Sequence, residues 1–445
     1  MSDIGQATPW TKEQKGEVQR LALSGFDSSA VQHLLLKVID ADRTRRFLEA
    51  LLEMICFGDR DKAGMNSRCA INVGFTWNGL LALELPSQIT DHLKSRSPAY
   101  AEGAALRAAR YLGDAGESAA EHWDPAFELD RAHVWLAFYG DDHDVIGKAM
   151  QDVRCLDGAK DGLAGWDLIS RLKGDHLKDP KGVRTHRVHF GFRDDLSKPR
   201  IGDGKTEAGD LLLGYANGRK ADLWTDSATT LPDVAEFLRN GSFGVLRKIE
   251  QFEDRFDNYL EKQVDLLRKQ GLGLSKDFLK AKMCGRWPNG APILRDEYIE
   301  PQAPDENRLK LSGFKEDLEG LGCPIGAHIR RTNPRDDNVA PPDVERVLFR
   351  RGMPYGPSWI AGQGGANMER GLLGVFFCAC IEDQFEQLIS EWVEKVPNGP
   401  PYAGRAKDPL AGNHNDPGAA FLIPDSTHGT IELKGFEQPF IRTRG

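Results

Sequence analysis

The chain has 445 residues and 49.4 kDa, with 40% apolar and 28% charged residues, which excludes a wholly disordered or fibrous protein and leaves room for two or three domains with sizeable cores. Its net charge of −9 argues against a nucleic-acid or anionic-membrane partner. The seven scattered cysteines include no C-x-x-C pair, so zinc, iron–sulfur and disulfide scaffolds lack support and the thiols read as small buried apolar groups.

Roughly the first ten residues read as a loose tail without a basic or apolar leader, and the expected location is the cytoplasm. Val31 to Met54 has apolar residues three and four apart and predicts one amphipathic helix. Ala70 to Leu85 opens as a strand (AINVGFTW) and turns helical (NGLLALEL). Arg131 to Tyr139 predicts a strand, Val145 to Leu156 a helix, and Thr185 to Phe192 (THRVHFGF) a further strand. Residues 194–233 are rich in Gly, Pro, Asp and Ser and read as a long functional connection. Beyond it, Ser242 to Ile249 predicts a strand, Phe252 to Leu267 a helix, Arg346 to Arg351 a short strand, Leu372 to Ile381 a buried strand and Glu382 to Val396 a helix. The apolar run from Gly371 to Ile381 is about half the length of a membrane span. Strands alternating with one-sided helices in both halves predict an α+β protein.

Common catalytic signatures fail. Gly204-Lys205-Thr206 lacks the glycine that a phosphate loop needs, because Pro199 stands there. Gly140 to Asp144 (GDDHD) reads as a turn with a helix N-cap, and Gly362 to Gly365 as a loop. The stretch that stands out is residues 323–336, CPIGAHIRRTNPRD. One histidine, His328, precedes Arg330, Arg331 and Arg335. An imidazole is an axial ligand for haem iron, and arginines pair with haem propionates.

With HFGFRDD from His189 and LFRRGMPYG from Leu348, this stretch resembles the signature set of the dye-decolourising peroxidases. NGSFGVLRKIEQ from Asn240, AKMCGRWPNGAP from Ala281 and IEDQFEQLISEW from Ile381 also look like that family, and the resemblance runs from about residue 17 to the C-terminus. The larger cytoplasmic branch is the nearest match.

The resemblance implies two ferredoxin-like halves of the dimeric α+β barrel type, with antiparallel sheets enclosing one b-type haem per chain. The implied division is 15–195 for the N-terminal half, 196–235 for a connection near the haem, and 236–445 for the half carrying the proximal ligand. It implies a haem peroxidase that reduces hydrogen peroxide and oxidises phenolic or dye-like aromatics in one-electron steps. No nucleic acid or membrane is expected as a partner, and self-association is left open. Residue by residue, His328 matches the proximal iron ligand, Asp194 the distal acid and Arg350 the distal arginine, with Arg351 turned away. Arg330 and Arg335 are expected at the propionates. Either Glu382 or Asp383 is expected behind the proximal histidine. Large dyes would be oxidised at a surface radical, with Trp359, Trp392 and Tyr355 as candidates. One departure is Asp195, where the family's G-x-x-D-G motif ends in glycine; its carboxylate either neighbours Asp194 or caps the loop. The competing reading is a haem carrier or sensor without turnover.

Overall fold

The structure is a computed structural model that describes residues 11–58, 69–156, 165–194, 196, 201, 206–218, 222–225, 230–335, 346–358, 368–395 and 406–445. Asp195, Gly204, Lys205, Trp359 and the loop at Gly362 to Gly365 lie outside the described residues.

The expected helix over Val31 to Met54 is two elements, a strand β1 (Ala30–Val38) and a helix Ala41–Leu51. Three successive leucines, Leu34, Leu35 and Leu36, fit helical spacing, but they equally suit a strand covered on both faces. That is the position of β1. In the first sheet it lies between β3 (Val134–Gly140) and β4 (Trp166–Asp175), with β2 (Cys69–Phe75) outside β3, all antiparallel. On one face Leu34 and Leu36 meet Phe47, Leu51, Ile146 and Met150 of two helices, Ala41–Leu51 and His143–Cys155. On the other face Val31 and Tyr139 meet the second sheet. Asp40 follows β1 and caps the helix by accepting from the Arg43 N–H. Asp142 does the same for the Val145 N–H at the second helix, as the GDDHD turn predicts.

The fourth strand is β4 and not Thr185 to Phe192. The latter stretch is a tight hairpin, in which the Val188 N–H donates to Phe192 O at 3.0 Å and the Asp194 N–H to His186 O at 3.1 Å. Its own turn residues close it locally, and its apolar side chains Phe190 and Phe192 enter the C-terminal core.

The second half repeats the pattern. β5 (Phe243–Gln251) leads into helix Glu253–Lys269; then come β6 (Phe349–Arg350), β7 (Met353–Tyr355) and β8 (Gly371–Cys378). The segments Ile381–Glu386 and Leu388–Val393 follow as π-helical turns where a regular helix is predicted. A hairpin of β9 (Asp416–Asp425) and β10 (Gly429–Phe436) covers the helical core of this half, and β11 (Ile441–Thr443) closes the sheet beside β5. The sheet order is β11-β5-β8-β6, with β7 also on β8, again antiparallel. With the short β6 and β7 sharing one position beside β8, each sheet has its first and third strand positions at the centre, the ferredoxin-like arrangement.

The two sheets pack through Val31, Ala137 and Leu172 against Phe349, Met353, Leu373 and Val375. Gly174 in β4 permits this approach, since a Cβ there would stand 2.8 Å from Val31 Cγ1 and 3.0 Å from Pro354 O. Among the described residues no helix is long and apolar enough to cross a membrane.

Candidate active site

His328 opens a short helix, His328–Thr332, that follows a turn closed by the Ala327 N–H on Pro324 O. The helix is fixed from behind by Arg331. Its guanidinium donates to the carbonyls of Trp392 at 2.7 Å, Ala406 at 3.1 Å and Lys395. His328 Nδ1 meets Asp408 Oδ2 at 2.9 Å. The other Asp408 oxygen accepts the Leu410 and Ala411 N–H groups, both at 2.9 Å, and its side chain has no exposed surface. Burial by itself pushes the Asp408 carboxyl up. The His328 imidazole, the Arg331 guanidinium and the Ala411 N–H together outweigh that and bring it down to about 2.

An ionised Asp408 holds the proton on Nδ1 and leaves the lone pair on Nε2, which makes no hydrogen bond among the described residues. This corrects the expected backing carboxylate. Glu382 instead accepts from Ser97 Oγ at 3.0 Å and the Ala99 N–H at 2.7 Å, tying the two halves together. Asp383 is exposed, and its backbone oxygen accepts from Arg346. Neither residue makes a recorded hydrogen bond to His328, whose Nδ1 is taken by Asp408.

Asp194 and Arg350 come together although 156 residues separate them. Asp194 ends the 186–194 hairpin, and Arg350 ends β6. Arg350 Nη1 stands 3.5 Å from Asp194 Oδ1, and both side chains are about half exposed, at 50% and 51%. An acid and a cation are thus presented side by side with their polar ends accessible. Arg351 turns the other way and donates to the carbonyls of Leu21, Ala22 and Leu23.

Arg330 is a second correction. It is 1% exposed, donates to Asp317 O and Cys323 O, and lies over the Phe314 ring, so it braces the turn before His328 and is not presented to a ligand. Arg335 is more open; it also lies over the Phe314 ring, donates to Ser312 O and has a positive φ of 54°. Of the expected surface aromatics, Tyr355 is 8% exposed with its hydroxyl on Glu369, and Trp392 is partly buried.

Among the described residues no group of three or more His, Cys, Asp or Glu side chains could hold a bare metal ion. A single imidazole with a carboxylate-anchored Nδ1 and a free Nε2 is a one-ligand arrangement. It suits iron whose remaining in-plane donors come from a macrocycle, so the donor set fits haem.

Comparison with known proteins agrees. Residues 37–161 match the DyP dimeric alpha+beta barrel domain, and residues 211–400 match the C-terminal domain of Dyp-type peroxidases. The chain is 27% identical to dye-decolorizing peroxidase AauDyP1 of Auricularia auricula-judae, over 82% of this chain and 71% of that one. It is 28% identical to dye-decolorizing peroxidase msp1 of Mycetinis scorodonius, over 84% and 73%. An ancestral D-type dye-decolorizing peroxidase superposes with a TM-score of 0.77 at 25% identity, covering 97% of this chain and 95% of that one. With two ferredoxin-like sheets and these matches to both halves, the chain belongs to the dye-decolourising peroxidases, haem-dependent oxidoreductases.

Proposed function

We propose that the chain binds one haem b through His328 Nε2, uses Asp194 and Arg350 on hydrogen peroxide, and passes the oxidising equivalents to phenolic or dye-like aromatics. The observation that carries this reading is the Asp194–Arg350 pair at 3.5 Å, an acid–base group beside a fixed cation. A related structure that superposes with a TM-score of 0.77 is a dye-decolorizing peroxidase in complex with 2,6-dimethoxyphenol, which supports a phenol as donor.

Haem, when bound, would supply the redox chemistry of peroxide reduction, with His328 holding its iron. Asp194 takes the proton from one peroxide oxygen and returns it to the departing one, which is general acid–base work. Arg350 offers its guanidinium to the negative charge that grows on the departing oxygen. Asp408 holds His328 in one tautomer and makes Nε2 a stronger donor. Arg335, the more open of the two arginines packed on Phe314, is the candidate for a propionate contact. Cysteines that form no disulfide suit a reducing compartment such as the cytoplasm.

The test is an absorption spectrum of the haemin-loaded protein before and after one equivalent of peroxide, for wild type and Asp194→Asn. A sharp Soret band that changes transiently in wild type, and about 10²–10⁴-fold more slowly in the variant, is expected. An equal response in the variant removes Asp194 from its role.

A further inference from the structure

The hairpin that carries Asp194 is anchored at its tip by a buried pair with no part in the chemistry above. His189 and Glu253 face each other with Nδ1 and Oε1 3.4 Å apart, and their side chains are 0% and 7% exposed. His189 Nε2 stands 2.8 Å from Tyr355 O. A carbonyl oxygen only accepts, so Nε2 carries the proton, and in the neutral imidazole that burial favours Nδ1 presents a lone pair. Both Nδ1 and Glu253 Oε1 are buried and make no recorded hydrogen bond among the described residues, so each has only the other to turn to. An ionised carboxylate would set two acceptors against each other in a dry site, whereas a carboxylic acid supplies the missing donor.

The two ends of this contact matter. The hairpin is closed by the Asp194 N–H on His186 O. Tyr355 ends β7, which continues from Arg350 and pairs with the same strand, β8, as β6 does. The His189–Tyr355 hydrogen bond is therefore a strut between the element that carries Asp194 and the one that carries Arg350.

We infer that His189 and Glu253 are a positioning pair: the protonated Glu253 carboxyl donates to His189 Nδ1 and fixes the tautomer whose Nε2–H ties the Asp194 hairpin to the Arg350 strand. This rests on the roles proposed for Asp194 and Arg350. The surroundings favour the neutral forms. Burial pushes Glu253 up to about 7, with Asp254 and Asp257 of its own helix adding to the rise; its own backbone N–H and Arg370 oppose it. Burial takes His189 down to about 4; the hydrogen bond to Tyr355 opposes this and Arg370 adds to it. Lys280 of helix Lys276–Cys284 also packs nearby, over the rings of Phe192 and Phe256. A carboxyl whose folded value is raised contributes below its ordinary range and loses that contribution as pH rises through about 7. Above that, the strut loses its donor and Asp194 loses its register with Arg350.

The experiment follows the rate of the Soret change with peroxide against pH in haem-loaded wild type, Glu253→Gln, Glu253→Leu and His189→Phe. Wild type should slow on the alkaline side of about 7. Glutamine keeps a donor at every pH, so Glu253→Gln should lack that fall. Glu253→Leu and His189→Phe should be slowed roughly 10-fold or more throughout while keeping the Soret band. An alkaline fall retained in Glu253→Gln, or wild-type rates in the other two, overturns the inference. Infrared spectroscopy separates it from the catalytic reading: a protonated-carboxyl band titrating near 7 should vanish in Glu253→Gln, whatever Asp194→Asn does. Absence of that band in wild type also overturns it.

Discussion

His328 Nδ1 lies 2.9 Å from Oδ2 of Asp408, a carboxylate without exposed side-chain surface, although 80 residues of chain separate the two. Asp408 is locked by two backbone N–H groups of its own turn, so its position does not depend on His328. The imidazole is oriented by the protein before any ligand arrives. Asp408→Asn should keep the fold and lower haem affinity or peroxide turnover by about 10–100-fold. A haemin titration and a peroxide assay check this. Unchanged values in both would leave His328 without its anchor's influence.

Arg350 touches Asp194 at 3.5 Å and is half exposed, so removing it disturbs little packing. Arg350→Leu should load haem normally and lose about 10²–10³-fold in the peroxide step, the usual effect of deleting one charge-stabilising donor. A double variant with Asp194→Asn should lose less than the product of the single losses, because the two groups act on one peroxide. Fully independent losses would separate their roles.

The sequence makes much of this site legible and hides the rest for identifiable reasons. Asp194, His328 and Arg350 stand in short stretches whose residue types match a chemistry. Asp408 stands in DPLAG, which reads as an ordinary Asx turn, and only the fold brings it to His328. Glu382 and Asp383 sit in a matching stretch, but only the fold brings Ser97 and Ala99 to Glu382 from 285 and 283 residues away. Arg330 and Arg335 look alike in sequence, yet a helical position turns the first into backbone carbonyls. In the fold, β1 misleads for a related reason: a strand buried on both faces loses the alternation that identifies strands.

The contact between the halves yields a stability prediction. Arg107 forms a two-pronged bond to Glu386 at 2.5 and 2.7 Å, with both side chains under one-tenth exposed, and Glu102 adds a further contact at 2.6 Å. Glu386→Leu leaves a buried guanidinium short of its main partner and should cost about 3–5 kcal/mol. Arg107→Met together with Glu386→Leu should recover most of that. Denaturant titrations of the three variants check it. Equal loss in single and double variants would show that packing, not charge, dominates the contact.

Three buried histidines set the acid limit of the fold. Burial brings His33 down to about 3, and His189 and His414 to about 4. His33 accepts the Trp135 indole N–H at 3.1 Å through Nδ1, so it is held neutral by a contact as well as by its surroundings. The unfolded chain takes up these protons from about 6.5 downward, whereas the folded chain resists until much lower pH. A depressed folded value means stability that is present above the unfolded value and is lost as pH falls towards the folded one. The melting temperature of the haem-free protein should therefore fall steadily as pH drops from about 6.5 to about 4. Carboxylates with ordinary values titrate mainly at the lower end of that range and cannot produce a fall that begins near 6.5. His33→Gln removes one of these protonation sites while keeping an acceptor for Trp135, so its fall should be shallower than wild type. A melting temperature that is flat down to about 5 would mean these histidines find protonated partners that the folded structure does not show.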